Sequence, residues 1–566
     1  MDSPHRRRAE AVAVRNGRIA AIGGDRDLRH LCGRRTAVMD AQGGTILPGI
    51  NDSHVHLASW GLTFPPLSVE VAAPTIAALV AKVAAAAAAI PSGSWIRGRG
   101  WSEIDLPRAP TRHDLDPVCG DRPAVLVDFT LHACVANTRA LQLAGIGRDT
   151  IAPGGGVIER DEHGEPTGVL REGAQDLLQA VVPAYTRAEL TQAITTAAAV
   201  LTAQGVTSIT DPGITPDLAR LYRDLTDAGS LPLRVTALLH AGDSPDTMRE
   251  AIAASWPLQG DNPRSFRVAG VKIFGDGVPT AARTAWLHEP YTDGTNGALT
   301  IAGTTEAAQV ANLRAMIAMA HRAGLQIGTH ATGDATVDAV VAAYLAAMRH
   351  DRRRDPRHYV IHGDLAPAQT LRTMARHDIG VNMNSQIKWL IDRALEPLLG
   401  PQRTDYHWPY RTAVDAGVRV STGSDGPVTT PDWRIGVMQM VLRKGSLGSV
   451  SGPDQRLTLQ EALQTYTSTP AWQDRADTWK GTLAPGQAAD LVVLDASIED
   501  IAPGDIPAVG VRATVADGLV VHDPHNTART ATPQRRPAWT DAHGRACYTS
   551  GTCCCTLSRA LLHGRA

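Results

Sequence analysis

Strand-like segments alternate with alanine-rich helical segments along most of the 566-residue chain, and this alternation constrains the fold more than any other feature. Apolar, β-branched runs that end in glycine, histidine or aspartate predict the strands, and stretches such as TEAAQVANLRAMIAMAHRAG predict the helices. Because strands that alternate with helices form parallel sheets, eight such units predict a distorted (β/α)8 TIM barrel. The eight predicted strands are GTILPGINDSHVH (44–56), VTSITD (206–211), LRVTALLH (233–240), FRVAGVKIFGDG (266–277), LQIGTH (325–330), HYVIHG (358–363), IGVNMNS (379–385) and VRVSTGSD (418–425).

The two ends of the chain predict a second, smaller domain. AVAVRNGRIAAIGG contains Asn16-Gly17, a pair that favours a tight hairpin turn, and a similar β-rich pattern returns at 481–522. We therefore expect a small β-sandwich domain built from both chain ends, with the barrel and an insertion after the first barrel strand between them. The predicted bounds are 1–48 and 476–530 for the small domain, 49–475 for the barrel, about 62–200 for the insertion, and 531–566 for a flexible, cysteine-rich tail.

Composition excludes several classes of partner. The net charge is -2, so no basic field is present to attract nucleic acid or an anionic membrane. The charged start is not followed by the apolar core of a signal peptide, and no apolar run of about 18 residues predicts a membrane helix. We expect a cytoplasmic protein with a small-molecule substrate, no nucleic acid and no membrane as partner; a homodimer is left open.

Polar residues at the ends of the predicted barrel strands form one constellation. In a barrel of this type the carboxyl ends of the strands converge on one mouth, where active sites lie. Each residue alone is more often structural: a hydrogen-bonded histidine, a salt-bridging lysine or a capping aspartate. Their joint occurrence at strand ends, in a chain with 20 histidines, predicts a metal site formed by His54, His56, Lys272, His330, His362 and Asp425.

The residue types in this constellation suit a hydrolytic metal site. Neutral imidazole is a common ligand of zinc and similar ions, and a catalytic zinc keeps one position open for water. A bound metal lowers the pKa of that water to about 7. A carboxylate beside it can accept the proton and return it to the leaving group, and Asp425 is predicted to be this catalytic residue.

Seven motifs resemble the amidohydrolase superfamily, and specifically its YtcJ-like (amidohydrolase 3) group, which includes N-substituted formamide deformylases. The resemblance runs from about 11 to 525 and implies the same barrel and small β domain. His-x-His alone is a weak indicator, but with the spaced lysine, histidines and aspartate it is strong. The motifs are DSHVHL, GRGWSEIDLP, LHACVANTRALQLAGI, GVTSITDPG, VKIFGDG, THATGD and GSDGPV.

The resemblance also implies roles for these residues. His54, His56 and Asp425 would hold a first divalent metal, with zinc preferred, and His330 and His362 a second. Lys272 matches a lysine that is carboxylated and bridges the ions in members with two metals; with one ion it stays unmodified. Substrate-contacting candidates are Trp101 and His132 in the insertion, and Arg283, for which a structural ion pair is an equal alternative. Asp276 and Asp334 are expected to orient metal ligands rather than touch substrate.

These inferences predict a metal-dependent hydrolase of a C–N bond in an N-substituted amide or formamide. Two alternatives stay open at this point. One is a deaminase of an aromatic ring that uses a single metal in the same barrel, although THATGDATVD lacks the glutamate which such enzymes usually place there. The other is a scaffold that binds metal without catalysis.

Overall fold

The structure is a computed structural model that describes residues 9–34, 36–103, 105–128, 133–153, 156–280, 282–351 and 355–525. The predicted cysteine-rich tail lies outside these residues. The strands, numbered in chain order, are β1 (Ala11–Arg15), β2 (Arg18–Gly23), β3 (Ile46–Pro48), β4 (Ile50–Asp52), β5 (Val69–Glu70), β6 (Ile96–Trp101), β7 (Ala124–Asp128), β8 (Ala133–Ala136), β9 (Val157–Arg160), β10 (Pro166–Arg171), β11 (Val206–Ile214), β12 (Arg234–His240), β13 (Phe266–Phe274), β14 (Gln326–Ala331), β15 (Tyr359–His362), β16 (Gly380–Met383), β17 (Val420–Thr422), β18 (Leu491–Leu494), β19 (Val511–Ala516) and β20 (Leu519–His522).

Helices occupy the connections between many of these strands. Those that follow barrel strands often begin at a hydroxyl residue: Thr215, Ser244 and Thr305 each accept a hydrogen bond from a backbone N–H in the first turn. The helices are α1 (Asp25–Leu28), α2 (Leu57–Gly61), α3 (Ile76–Ala89), α4 (Arg112–Cys119), α5 (Thr138–Leu143), α6 (Gln175–Gln179), α7 (Arg187–Ala203), α8 (Pro216–Asp227), α9 (Pro245–Ser255), α10 (Glu306–Arg322), α11 (Asp334–His350), α12 (Ala368–Arg376), α13 (Ser385–Ile391), α14 (Glu396–Leu399), α15 (Pro401–Tyr406), α16 (Tyr410–Asp415), α17 (Trp433–Leu442), α18 (Leu459–Gln464) and α19 (Ser468–Gln473).

Eight parallel strands form the central sheet, in the order β17-β16-β15-β14-β13-β12-β11-β4. The two outer strands meet and nearly close the sheet into a barrel: Ser53 Oγ donates to the Thr422 carbonyl at 2.8 Å, and the Asp425 N–H donates to the His54 carbonyl at 2.7 Å. The approach is so close that a Cβ on Gly423 would lie 2.5 Å from the His54 nitrogen. The predicted (β/α)8 barrel is therefore confirmed.

The segment GTILPGIND, which the sequence predicts as part of one strand, is divided between two sheets. Residues of β3 pair with β18 in a four-stranded antiparallel sheet of order β20-β19-β18-β3, whereas β4 pairs with β11 in the barrel. Gly49 lies at the division, where a Cβ would stand 2.2 Å from Thr207 Oγ1. Only glycine fits this crossing point without a shift of its neighbour.

The chain ends supply the small β structure. Strands β1 and β2 form a hairpin that turns at Asn16 and Gly17, both with positive φ angles. Ile19 of this hairpin packs in one apolar core with Leu491 and Val515 of the four-stranded sheet. The two sheets therefore face each other across a shared core, as a small sandwich does.

The described residues fall into two compact units, one of residues 9–57 and 198–525 and the other of residues 58–197. The second unit contains a six-stranded mixed sheet of order β5-β6-β7-β8-β10-β9. Helices α3 and α4 contribute Leu79 and Leu115 to its main core, together with Trp101 and Leu126 of the sheet. The predicted boundary positions between the barrel and the small β domain stay predictions. Among the described helices, none has the length and apolar character needed to span a membrane.

Candidate metal centre

All six residues of the predicted metal site lie at the carboxyl ends of barrel strands. His54 and His56 follow β4, and Asp425 follows β17. The other three, Lys272, His330 and His362, lie on the neighbouring strands β13, β14 and β15. The strand register pairs Phe274, two residues after Lys272, with His330, and it pairs Ala331 with His362. Parallel register thus places residues that are far apart in sequence at one mouth.

His54, His56 and Asp425 form the tightest group. Asp425 Oδ1 lies 3.1 Å from His54 Nε2 and 3.4 Å from His56 Nε2. One ligand atom from each residue lies within 4.8 Å of the others. Two imidazole nitrogens and a carboxylate oxygen at these separations can surround one divalent cation.

His362 and His330 continue this group. The ring centroids of His54 and His362 are 5.1 Å apart, and those of His362 and His330 are 4.4 Å apart. Together with the 5.3 Å between His54 and His56, these contacts join four imidazoles in a row. The second predicted pair of ligands therefore lies directly beside the first.

Hydrogen bonds fix which nitrogen of each outer imidazole carries the proton. His330 Nε2 lies 2.9 Å from the Gly277 carbonyl, and because a carbonyl only accepts, Nε2 must be the donor. His362 Nδ1 lies 2.7 Å from Asn384 Oδ1, and the amide nitrogen of Asn384 donates to the Gly423 carbonyl at 2.9 Å. Asn384 therefore presents its oxygen to His362. This leaves a lone pair on His330 Nδ1 and on His362 Nε2.

The ring nitrogens of His54 lack well-aligned hydrogen bonds among the described residues. Both of its ring nitrogens are buried, and neither forms a hydrogen bond of good geometry with any residue in the described part of the chain. Asp425 Oδ1 is close to Nε2 but poorly aligned with it. A buried polar atom without a partner is costly, so this ring calls for a ligand that the protein alone does not supply. The donor set and this orphaned ring fit a bound divalent metal.

Burial keeps most of these imidazoles neutral, the form that has a lone pair for a metal. It lowers the pKa of His54 to about 4 and that of His330 to about 3, and it holds the pKa of His362 well below the ordinary value. Burial acts in the same direction on His56, but hydrogen bonds with Asp211 and Asp425 raise its pKa to about 9. Burial would raise the pKa of Asp425, yet the neighbouring histidines hold it well below its usual range.

Lys272 is buried at 1% exposure among these groups. Its ammonium lies 4.9 Å from the centre of the Phe274 ring and forms no hydrogen bond or close ion pair with any described residue. Burial lowers its pKa to about 7, although the charge of Asp425 acts in the opposite direction. A neutral amine is the form of lysine that can react with carbon dioxide, as the predicted carboxylation requires.

Several residues that the sequence did not single out hold these ligands in place. Asp211 of β11 lies 3.5 Å from His56 Nδ1 and accepts hydrogen bonds from the Leu57 N–H and the Tyr222 hydroxyl. Asn384 orients His362, as described above. A buried aspartate inside the apolar strand segment VTSITD is an uncommon feature that could have indicated Asp211; nothing in the sequence indicates Asn384.

The residues predicted to orient ligands act on the backbone. Asp276 accepts hydrogen bonds from the N–H groups of Thr332, Gly333 and Trp286, and so anchors the loop that follows His330. Asp334 accepts from the His288 N–H at 2.9 Å, at the start of α11.

The predicted substrate-contacting residues have separate outcomes. Trp101 belongs to the second unit, is 1% exposed, and donates its indole N–H to the Leu126 carbonyl at 2.8 Å. His132 lies outside the described residues. Arg283 forms an ion pair with Asp293, the structural alternative that the sequence left open. A role for any of the three in binding substrate stays a prediction.

Comparisons with known proteins agree with this architecture. The model of the amidohydrolase family named Amidohydro_3 matches residues 37–522. The chain is 30% identical to YtcJ of Bacillus subtilis (strain 168), over 91% of this chain and 96% of that protein. It is also 30% identical to an N-substituted formamide deformylase of Arthrobacter pascens, over 91% of this chain and 95% of that enzyme.

A solved structure has the same fold. It is an uncharacterized metal-dependent hydrolase from Pyrococcus horikoshii OT3, with a TM-score of 0.71 at 22% identity, over 87% of this chain and 95% of that one. At this identity the likeness concerns the fold alone, whereas the family model and the two relatives extend over most of the sequence. This chain belongs to the amidohydrolase family.

Proposed function

We propose that the protein is a metal-dependent hydrolase that cleaves the C–N bond of an N-substituted amide or formamide. The observation that carries this proposal is the group of His54, His56 and Asp425 beside His330 and His362, in which the His54 ring lacks a well-aligned hydrogen bond to any described residue. Such a donor set has no evident structural purpose, because uncompensated buried polar atoms destabilise a fold.

The substrate class is supported by a relative. The similar Arthrobacter pascens enzyme is named an N-substituted formamide deformylase and is covered over nearly its whole length. Fold alone does not name a substrate, since one barrel supports many reactions. An N-substituted formamide is therefore the first substrate class to test, and other linear amides come next.

In the proposed reaction four histidines serve as metal ligands, and Asp425 serves both as a ligand and as the proton carrier. His54, His56 and Asp425 would hold the first divalent ion, zinc by preference, and His330 and His362 a second. When bound, such an ion lowers the pKa of water towards about 7 and polarises a carbonyl. Asp425, ionised at neutral pH, accepts a proton from the attacking water and returns it to the leaving amine nitrogen.

Lys272 decides how many ions the site would hold. An ammonium repels cations and has no lone pair, whereas a lysine carbamate offers two anionic oxygens. With Lys272 carboxylated, the two groups of ligands would share a bridging anion; with Lys272 unmodified, one ion at His54, His56 and Asp425 is expected. Two measurements distinguish the carboxylated from the unmodified state: the intact mass of the protein and its metal content. Each is compared between the wild type and Lys272→Ala.

The decisive experiment measures metal content and product release together. Purified protein is expected to carry at least one divalent ion per chain and to release formate from a panel of N-substituted formamides. His54→Ala should lower metal content and activity together, whereas His163→Ala, an exposed histidine of the second unit, should change neither. Unchanged metal content in His54→Ala would remove this residue from the site.

The alternative functions give different outcomes in the same assay. Ammonia release from purines or pyrimidines, without formate release from the formamides, would favour a deaminase. Less than one ion per chain, with no hydrolysis of a broad amide and ester panel, would favour a non-catalytic scaffold. Either result would contradict the proposed C–N hydrolase.

A further inference from the structure

A cavity of about 330 Å3 lies at the end of the barrel opposite the candidate metal centre. It is lined by Arg234, the first residue of β12, and by Arg267, the second residue of β13, so it lies at the amino-terminal ends of these strands. Arg264 and Trp479 also line it. Its volume falls at the lower end of the range of small-molecule sites, roughly 300–1,000 Å3.

Two cations of this cavity already have carboxylate partners. Arg234 pairs with Asp490 at 2.7 Å and with Asp517 at 2.9 Å. Lys480 pairs with Asp474 at 2.8 Å, and Asp474 also accepts a hydrogen bond from Thr210 Oγ1. The charge of Lys480 is balanced by Asp474 and that of Arg234 is more than balanced by its two carboxylates, so neither cation has positive charge left for a ligand.

Of the three remaining cations in the lining, Arg475 donates to the backbone carbonyls of Asp355 and Pro356, whereas Arg264 and Arg267 form no close ion pair with a described carboxylate. Arg267 donates one hydrogen bond, at 3.1 Å, to the backbone carbonyl of Asp474, and it forms no close ion pair with a described carboxylate. Burial lowers the pKa of its guanidinium; the charge of Asp474 acts in the opposite direction, and the charge of Arg357 acts in the same direction as burial. The Arg264 side chain is exposed, forms no hydrogen bond or ion pair within the described chain, and lies 5.2 Å from the Trp479 ring.

Guanidinium groups suit one class of ligand in particular. Each carries five N–H donors in a planar fork and no acceptor, and this geometry matches the oxygens of a phosphate. Arg267 is partly buried, and the carboxylate whose charge acts on it, Asp474, is already paired with Lys480, so an anion in the cavity would relieve the cost of burying its charge. The one carboxylate in the lining, Asp474, is already engaged by Lys480.

We propose that this cavity binds a phosphate group, held mainly by Arg264 and Arg267, as free phosphate or as a small phosphate monoester. The site is separate from the proposed hydrolytic reaction and does not depend on it. Because Arg267 and Lys272 lie on the same strand, β13, occupation of the cavity would stabilise a strand that also serves the metal centre.

Titration of the full-length, metal-loaded protein tests this proposal. Inorganic phosphate and glycerol phosphate are added separately, at ionic strength matched with chloride, and binding is followed by calorimetry and by thermal unfolding. The wild type should bind at least one of the two and unfold at a higher temperature. If both bind equally the site recognises the phosphate group alone, and if only the monoester binds it also recognises the organic part; both results support the proposal.

Paired variants separate this cavity from other anion sites. Arg264→Gln combined with Arg267→Gln should weaken binding at least tenfold. Arg220→Gln combined with Arg249→Gln removes the same charge from exposed positions on α8 and α9 and should leave binding unchanged. Arg264→Gln alone, at an exposed side chain whose one contact given for the described chain is with the Trp479 ring, covers the case in which the double variant does not fold. Equal binding by the wild type and the Arg264 and Arg267 variants, or no binding of either anion by the wild type, would overturn the proposal.

Discussion

At the scale of single residues, the histidines of the candidate site differ in how many ring nitrogens form hydrogen bonds with the protein. His330 and His362 each use one nitrogen for a protein hydrogen bond and keep the other for a ligand. Neither ring nitrogen of His54 forms a well-aligned hydrogen bond with a described residue, although Asp425 Oδ1 lies 3.1 Å from Nε2.

Asp425→Asn should abolish most turnover while leaving much of the metal in place. The amide keeps the size of the side chain but can neither accept a proton from water nor return it, and loss of general acid–base catalysis costs roughly 10²–10⁴-fold in rate. Steady-state kinetics and metal analysis on the same preparation check this. Asp246→Asn, an exposed carboxylate in the first turn of α9, is the matched control. Turnover close to that of the wild type would exclude Asp425 as the proton carrier.

Asn384→Ala should weaken metal binding without touching a ligand. Its Oδ1 accepts a hydrogen bond from the His362 Nδ1–H, and this bond fixes the orientation of the ring and leaves Nε2 for the ion. Loss of such a supporting bond typically costs roughly 10–100-fold in metal affinity, which competition with a chelator measures. Asn312→Ala, which removes an amide bound to the Ala302 carbonyl, should leave metal affinity unchanged. An unaltered affinity in Asn384→Ala would contradict the tautomer assigned to His362.

The sequence indicated which candidate ligands meet at the barrel mouth better than it indicated the residues that contact them, for a physical reason. Histidine, lysine and aspartate at strand ends are recognisable because period-two strands and parallel register bring them to one mouth. Asn384 and Asp211 matter only through the particular ring nitrogen that each one touches. That relation depends on side-chain rotamers and on strands distant in sequence, so no local pattern contains it.

At the scale of elements, helix α13 contains a buried lysine, Lys388, that lies outside the candidate metal centre. Lys388 Nζ donates to the Thr404 carbonyl at 2.8 Å and to Ser451 Oγ at 2.9 Å. Burial and the charge of Arg443 lower its pKa to about 7. Lys388 therefore joins helix α15 and the segment after α17 to helix α13, and both of its acceptors are uncharged.

Lys388 should make the stability of the protein depend on pH. Its folded pKa of about 7 is below the unfolded value of about 10.4, so between these values the unfolded chain binds more protons and stability rises with pH. The gain is at most about 1.4 kcal/mol per pH unit. Denaturant unfolding of metal-loaded wild type and Lys388→Met, from about pH 7 to about pH 10, should show a smaller slope in the variant. Lys82→Met, at an exposed lysine of α3, is the control, and parallel slopes for Lys388→Met and the wild type would refute the assignment.

The division of GTILPGIND between two sheets shows where strand prediction from sequence stops. The apolar run was recognisable, but its partners were not, because β3 pairs with β18 and β4 with β11. Pro48-Gly49 offered a local indication of a break, since proline and glycine both interrupt strands. Pairing across hundreds of residues depends on tertiary packing, which outweighs local preference.

At the scale of the whole molecule, the barrel was predictable because each βα unit repeats the same alternation. The second unit was predicted only as an insertion with its own structure. Its sheet mixes parallel strands β5 to β7 with antiparallel strands β8 to β10, an arrangement that neither strict alternation nor a run of hairpins describes. Its strands are also short, so each one contains few residues in which an alternation of apolar and polar side chains can be recognised.

Removal of metal should lower the stability of the whole protein as well as its activity. A ligand that binds only the folded state adds RT ln(1 + [L]/Kd) to the free energy of unfolding, about 4 kcal/mol at a thousandfold excess over Kd. Chelation followed by dialysis should therefore abolish turnover and lower the unfolding temperature, and added zinc should restore both. Calorimetry with metal analysis measures this. An unfolding temperature that is unchanged after complete metal removal would show that the imidazoles do not hold an ion tightly in the folded state.

The seam where β4 meets β17 also sets when the finished metal centre can form during synthesis. The hydrogen bond from the Ser424 N–H to Asp52 joins residues 372 positions apart, which a ribosome translates in about 20–75 s at 5–20 residues per second. During that interval His54 and His56 are available without Asp425, as a pair of imidazoles that many transition metals can bind weakly. Under the proposed function, the complete donor set of His54, His56 and Asp425 can therefore select an ion only after the barrel has closed.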